Sequence, residues 1–447
     1  MEEGSQEMFE DTIENKWRRV EERIGGERGQ NIVAALKELY GVFDRSLATW
    51  QAELYSPEHG GFYFSNSARD NPTVMYKDEE HKLLPDVEST IASFGFFVES
   101  GVSGGRDMKE FVPAWLRKRV ADFVYDLQDE DGYFYHPQWG KNIHDLRKTR
   151  DLGTSIRLLR LDDRKPRYPT PTAKATDSET YDLSKAPERF RSVENFKKYL
   201  YEELDFKTKA YNSGSILSSG LGEVESYGKM LGVDFVELIV EVLDEHQRPD
   251  TGLWHTNANY YGTNGVHKIS KIYNWTGHKI PYVDAAIETT MKVMVSDENP
   301  HTGVDVYNPW HVLGELLKNK REQHGAGDDE MKVILDKLYD FAPRAILVSA
   351  EKVKQFKKYD GGLGGTATQG QASAYGSLVA VPGVNESNIN GASCASSALV
   401  SSVYYGLEIS DLKVPLLPYD ALDEYLAVIE KKERAWREKN GISTSDM

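Results

Sequence analysis

Cysteine occurs once in the 447 residues, at Cys394. A single cysteine excludes an internal disulfide and a thiolate-rich zinc site, and it fits a reducing compartment. Set among Gly391, Ala392, Ser393, Ala395 and Ser396, it reads as a small packed residue rather than a nucleophile. Long apolar runs are also missing: no stretch reaches the roughly 18 residues of a membrane span. Met1 to Trp17 is acidic and polar, so no secretory signal is expected either. The compartment expected is the cytoplasm as the sequence stands, and a secreted or periplasmic one if a signal peptide has been removed. Positive charge is scarce, with 54 Lys and Arg against 71 Asp and Glu and a net charge of -17. That argues against nucleic acid, whose phosphates need a broad basic face, so an anionic ligand must be met by a local cluster of cations. His-x3-His and His-Glu-x-x-His are absent, as is a Gly-x-Ser-x-Gly elbow, and Gly361 to Gly365 lacks the Lys-Ser/Thr ending of a phosphate loop. Neither a catalytic metal nor a cofactor is expected.

What is present is a repeat. An amphipathic run ends in a polar turn with Gly and an aromatic or Leu, a polar loop follows, and then comes a helix rich in small residues. The turns are His59-Gly60-Gly61-Phe62, Asp131-Gly132-Tyr133-Phe134, Asp250-Thr251-Gly252-Leu253-Trp254 and Asp360-Gly361-Gly362-Leu363, with weaker members at Gly214 and Gly303. Their steps are irregular but centre on roughly sixty residues, the length of a helical hairpin with its loops. Val112, Leu116, Val120, Phe123 and Leu127 share one helical face, as do Phe235, Leu238, Ile239, Val242 and Leu243. Val87 to Glu99, Leu152 to Leu161, Asp284 to Val295 and Ala392 to Leu407 are apolar or small nearly all round, which predicts helices buried on most sides. No convincing series of alternating strands exists.

Half-buried helices alternating with nearly fully buried ones need two concentric layers. The expected fold is all-α, a single domain over residues 1–447 built as an (α/α)6–7 toroid. Residues 162–195, with Pro166, Pro169, Pro171 and Pro187, are expected as an exposed excursion that can lie over the mouth, and 419–439 as a bracing helix. Four loops should then converge: 65–85, 136–151, 255–282 and 366–391.

The chemistry is expected around residues 250–283. Beyond Asp250 no acid occurs for 33 residues, while the stretch carries His255, His267, His278, Lys268, Lys271, Lys279, Tyr260, Tyr261 and Tyr273. Arg69 in the first loop and Trp139, Arg147, Lys148 and Arg150 in the second add cations and a ring. Such a set suits a uronic acid polymer. The C5 proton lies beside a carboxylate, so an enzyme must neutralise that group, supply a base and protonate the departing oxygen. Asn259 and Asn264 can hydrogen-bond the carboxylate, Lys268 and Lys271 can offset its charge, and His267 can act as base, with His255 a second imidazole close by. Tyr261 and Tyr307 are candidates for the proton donor, or for a tyrosinate base if nearby cations loosen the phenol proton. Trp139, Trp254 and Tyr260 are candidate sugar platforms.

Helical hairpins with Gly-aromatic turns, together with Gly252-Leu253-Trp254 and Asn264-Gly265-Val266-His267-Lys268, resemble the α/α-toroid polysaccharide lyases, most of all the alginate and glucuronan lyases of polysaccharide lyase family 38. The resemblance implies cleavage of an anionic polysaccharide by β-elimination without a metal. It also implies a His and a Tyr as the proton-transfer pair, here His267 and Tyr307. The Arg expected to neutralise the carboxylate has no match in 251–283, where the cations are Lys. The alternatives are an inverting glycoside hydrolase on the same scaffold, using two of Asp250, Asp284, Asp305, Asp360 and Glu386, and a non-catalytic or terpenoid-cyclase-like toroid.

Overall fold

Four of the glycine turns close tightly in the computed structural model, which describes residues 12–170 and 186–447. Tyr55–Ser56 pairs with Gly61–Phe62, Gln128 bridges to Phe134, the Arg248 N–H reaches the Leu253 carbonyl, and Lys357 bridges to Leu363. In each turn a residue just past the glycines drops into the core: Phe62, Leu253 and Leu363 directly after them, and Phe134 one place further on. Gly132 and Gly252 sit at φ of 95° and 68°, where only Gly is comfortable. A Cβ there would also collide with the Pro169 carbonyl or the Ala286 backbone. Two buried glutamines hold these turns alike. Gln128 donates to the Gly132 carbonyl at 3.2 Å and accepts the Tyr168 N–H at 3.0 Å. Gln247 donates to the Gly252 carbonyl at 2.8 Å and accepts the Tyr282 N–H at 3.1 Å. The two weaker members of the repeat differ: Gly214 lies inside the helix Ala210–Leu231, and Gly303 opens the helix Gly303–Glu322.

The chain is mostly helical, and strand among the described residues is confined to three short antiparallel hairpins: the one above, Thr73–Tyr76 with Glu79–Lys82, and Ser373–Ala374 with Ser377–Leu378. Helices Ala210–Leu231, Tyr260–Thr276, Gly303–Glu322 and Ala398–Gly406 pack side by side in that order. Ahead of the last, Ile389–Ala392 and the π-type turn Ser393–Ser397 lie against Val87–Glu99, which in turn packs on Asp145–Leu161. A second set of helices packs on these. Ala114–Tyr125 lies on Asp145–Leu161, Phe235–His246 on Ala210–Leu231, and Val283–Met294 on Gly303–Glu322. Gly26–Tyr40 packs on Asp328–Lys354, and the last helix, Asp420–Lys439, on Ser46–Glu53.

One pair of helices trades places relative to the sequence reading. Residues 260–276, read as loop, form a helix capped by the Asn259 side chain, which accepts the Gly262 N–H, and ended by Gly277 in the left-handed region. It is buried on nearly every side because Gly265 lets Ala210 approach and Gly214 makes room for Ile269. Over residues 284–295, read as buried all round, the helix Val283–Met294 exposes Asp284, Glu288 and Lys292, four residues apart. The polar residues spread along the helix Tyr260–Thr276 imitate a loop in sequence, which explains the first error.

Residues 162–170 run along the helix Ala114–Tyr125 and its turn, through Arg164 to Asp122 and Tyr168 to Gln128. Residues 171–185, the middle of the expected excursion, lie outside the described residues. Beyond them Phe190 and Phe196 stack on Phe235, so the far edge of that segment is anchored in the core. Among the described residues no helix is long and apolar enough to cross a membrane.

Candidate functional site

The helix Gly303–Glu322 is buried except for one stripe, on which Tyr307, His311 and Glu315 follow at four-residue steps. The neighbouring helix Tyr260–Thr276 brings His267, Lys268 and Lys271 to the same region. The His267 and Tyr307 rings meet edge to face with centroids 6.2 Å apart, and His267 and His311 lie 4.6 Å apart. Lys268 Nζ stands 5.2 Å from the Tyr211 ring. Arg150 pairs with Glu88 and stacks at 4.2 Å on Tyr375. Cys394, in the π-type turn, is close enough to Arg150 and Lys268 for their charges to act on it.

Burial sets the protonation of this group. His267 is held well below the usual imidazole range by burial, with Lys271, His311 and Lys268 acting in the same direction, so it is neutral at pH 7. Lys268 is lowered to about 8, again by burial first and then by Lys271 and Arg150. Among the described residues it has no carboxylate at ion-pair distance. Tyr307 is pushed well up by burial, helped by Cys394, Tyr211 and Glu99, and so keeps its proton. The expectation of a tyrosinate base at Tyr307 is therefore reversed: desolvation dominates and no cation opposes it, so Tyr307 can only donate. Burial likewise raises Cys394 to about 12, which leaves it a thiol and no nucleophile.

The remaining expected residues scatter. His255 is buried, its Nδ1 accepts the Asn257 N–H, and Tyr261, 46% exposed, packs its ring against it at 5.4 Å, outside the His267 cluster. Asn259 caps its helix. Asn264 is locked between helices, donating to Asp305 at 2.7 Å and accepting from Asn308 at 2.9 Å. Tyr260 accepts from Lys352, and the Trp254 indole, fully buried, donates to the Leu243 carbonyl. Arg69 pairs with the adjacent Asp70. Arg147 is fully buried between Asp86 and Asp151 at 3.0 and 2.9 Å, and stacks on Trp139, whose N–H reaches the Leu378 carbonyl. One cation between two carboxylates compensates only one. Asp151 is accordingly raised to about 7, mainly by burial, with Asp86 and Glu88 opposing the pull of Arg147.

Three of the four loops do interlock. Gln138 ties Leu84 to Leu378, Ser65 bridges to Asn388, and the Val381 N–H bonds the Ser67 hydroxyl. Sequence reasoning missed Tyr211, His311, Glu315 and Tyr375. The four-residue spacing of Tyr307, His311 and Glu315 on one helical face was a readable signal. Tyr375 left none, because its place depends on the loop that carries it.

The five carboxylates weighed for a hydrolase are all occupied. Asp250 pairs with Arg248 and Asp284 with Lys320, while Asp305 caps the backbone of His301 and Thr302. Asp360 accepts from Ser387, and Glu386 from the Ser67 N–H. Among the described residues no group of three or more His, Cys, Asp and Glu could hold a metal. A cleft of about 950 Å³ lies elsewhere, along 23–28 and 328–340; its cations Arg23 and Arg28 are already paired with Asp411, Asp336 and Asp340. No protein-family model, curated protein or solved structure matches the chain.

Proposed function

We propose that the inner helices close an α/α toroid and that its interior is the active site of a lyase acting on an anionic, uronate-containing polysaccharide or oligosaccharide. The observation that carries this reading is Lys268: a half-buried ammonium with no carboxylate partner, beside a neutral His267 and a protonated Tyr307. A buried cation without a counter-ion is costly, and an arriving carboxylate would supply one. The order of helix contacts, with an outer helix on most inner ones, supports the toroid.

In this mechanism Lys268, with Arg150 nearby, neutralises the uronate carboxylate and makes the C5 proton removable. His267 takes that proton. The C–H electron pair becomes the C4=C5 double bond, the C4–O bond breaks, and Tyr307 gives its proton to the departing oxygen. The anion also makes His267 a better base, because it offsets the field of Lys268 and Lys271 that depresses the imidazole.

Incubating the protein with alginate, glucuronan and related polymers should raise near-ultraviolet absorbance as the unsaturated ring forms, and His267→Ala and Tyr307→Phe should abolish the gain. Absence of absorbance with every polymer would sink the reading. Reducing ends released without absorbance would favour the hydrolase. Retention of polymer with neither signal would leave a binding module.

A further inference from the structure

A buried imidazole that takes a proton must lose it before the next turnover, and His267 is only 4% exposed. Its Nδ1 has no partner. The ring it meets at 4.6 Å is His311, which also lines a cavity of about 260 Å³ with Ser401, Ser402, Tyr405, Ser410 and Lys413. His311 Nε2 lies 3.2 Å from Glu315 Oε1, within ion-pair distance but off the direction of a hydrogen bond. The other Glu315 oxygen is fixed by Asn274 Nδ2 at 2.6 Å, and the Tyr405 ring stands 5.1 Å from His311. Thus the two imidazole rings lie against each other, with a carboxylate beside His311 and a small cavity beyond it.

We propose that His311, steadied by Glu315, carries the proton taken by His267 out to this cavity. The step rests on the lyase reading for the source of the proton, but its path is a property of the resting protein. The N–H bond of the His267 imidazolium breaks and leaves its electron pair on nitrogen, and a ring nitrogen of His311 forms the new N–H bond. The positive charge then sits 3.2 Å from the Glu315 carboxylate. His311 releases a proton to water in the cavity and returns to neutral, while the Tyr307 phenolate regains one from solvent, so no charge or proton accumulates over a cycle. His311 and Glu315 touch no substrate in this scheme: they are positioning and relay residues.

The test has two arms on the full chain. In histidine-15N-labelled protein without ligand, hydrogen exchange at the His267 ring should slow by about tenfold in His311→Gln and by a smaller factor in Glu315→Gln. Exchange in His311→Gln within about twofold of the parent would overturn the relay. His311→Phe serves as a second variant should the glutamine disturb folding. In the elimination assay, His311→Gln should lower kcat by about tenfold with KM nearly unchanged, and added imidazole should restore part of the rate. An unchanged kcat would also overturn the relay. If the parent protein eliminates no uronate polymer, the lyase reading fails, and the exchange arm still decides the relay.

Discussion

Lys268→Met separates a ligand-binding lysine from a structural one, because it should weaken binding while strengthening the fold. Methionine keeps the length of the side chain and removes the charge. The fall from 10.5 to about 8 means that burial opposes the ammonium. At 1.36 kcal/mol per pH unit this is about 3 kcal/mol, reduced to about 1–2 kcal/mol because solvent reaches the half-buried side chain. The sign follows from linkage. The folded-state value lies below the unfolded one, so the unfolded chain binds more protons between about pH 8 and 10.5, and stability from this group rises with pH across that window. The penalty is fully present below pH 8. Urea unfolding at pH 7 should therefore find Lys268→Met more stable than the parent by about 1–2 kcal/mol, and the gap should close toward pH 10. Calorimetry with uronate oligosaccharides should show affinity falling by about tenfold from pH 7 to 9 in the parent and little pH dependence in the variant. Cys394, at about 12, is silent in that range, and Lys271→Met controls for the other lowered lysine. A variant less stable than the parent at pH 7, or a gap independent of pH, would refute the claim that Lys268 is an uncompensated cation held for a ligand.

Three further outcomes are expected. Gln247→Ala removes both bonds that clamp the Gly252 turn and should cost about 2–3 kcal/mol in urea unfolding. Glu433 is fully buried and receives Tyr55, Arg119 and Arg437, so Glu433→Ala removes the carboxylate of Arg119 and one of the two of Arg437, and should cost about 3–5 kcal/mol, again by unfolding. Asp151, raised to about 7, holds its proton longer in the folded state than in the unfolded one. Its contribution to stability is complete below about pH 4 and is lost as pH rises through 7. Thermal unfolding between pH 5 and 8 should show the parent losing ground to Asp151→Asn.

The repeat, its turns and the helical class were legible in the order of residues, because they depend on local rules: the apolar period of a helix, and a glycine where φ is positive. Gly132 and Gly252 announced their turns, and Phe134 and Leu253 announced what those turns bury. His267 and Tyr307 were named from residue type, and the fold brings their rings together. Other features depended on distance in space. Arg147 and Arg150 look alike in sequence, yet one is sealed between Asp86 and Asp151 while the other, though paired with Glu88, stacks on Tyr375 near Lys268. Asn264 reads as a ligand group and serves as a strut. Whether a tyrosine beside lysines gains or loses its proton is a contest between charge and desolvation, and only packing sets the second of these. The sequence alone therefore determined the helical class and where most of the glycine turns fall. Tertiary structure decided which of those polar groups satisfy one another and which, like Lys268, are left without an opposite charge.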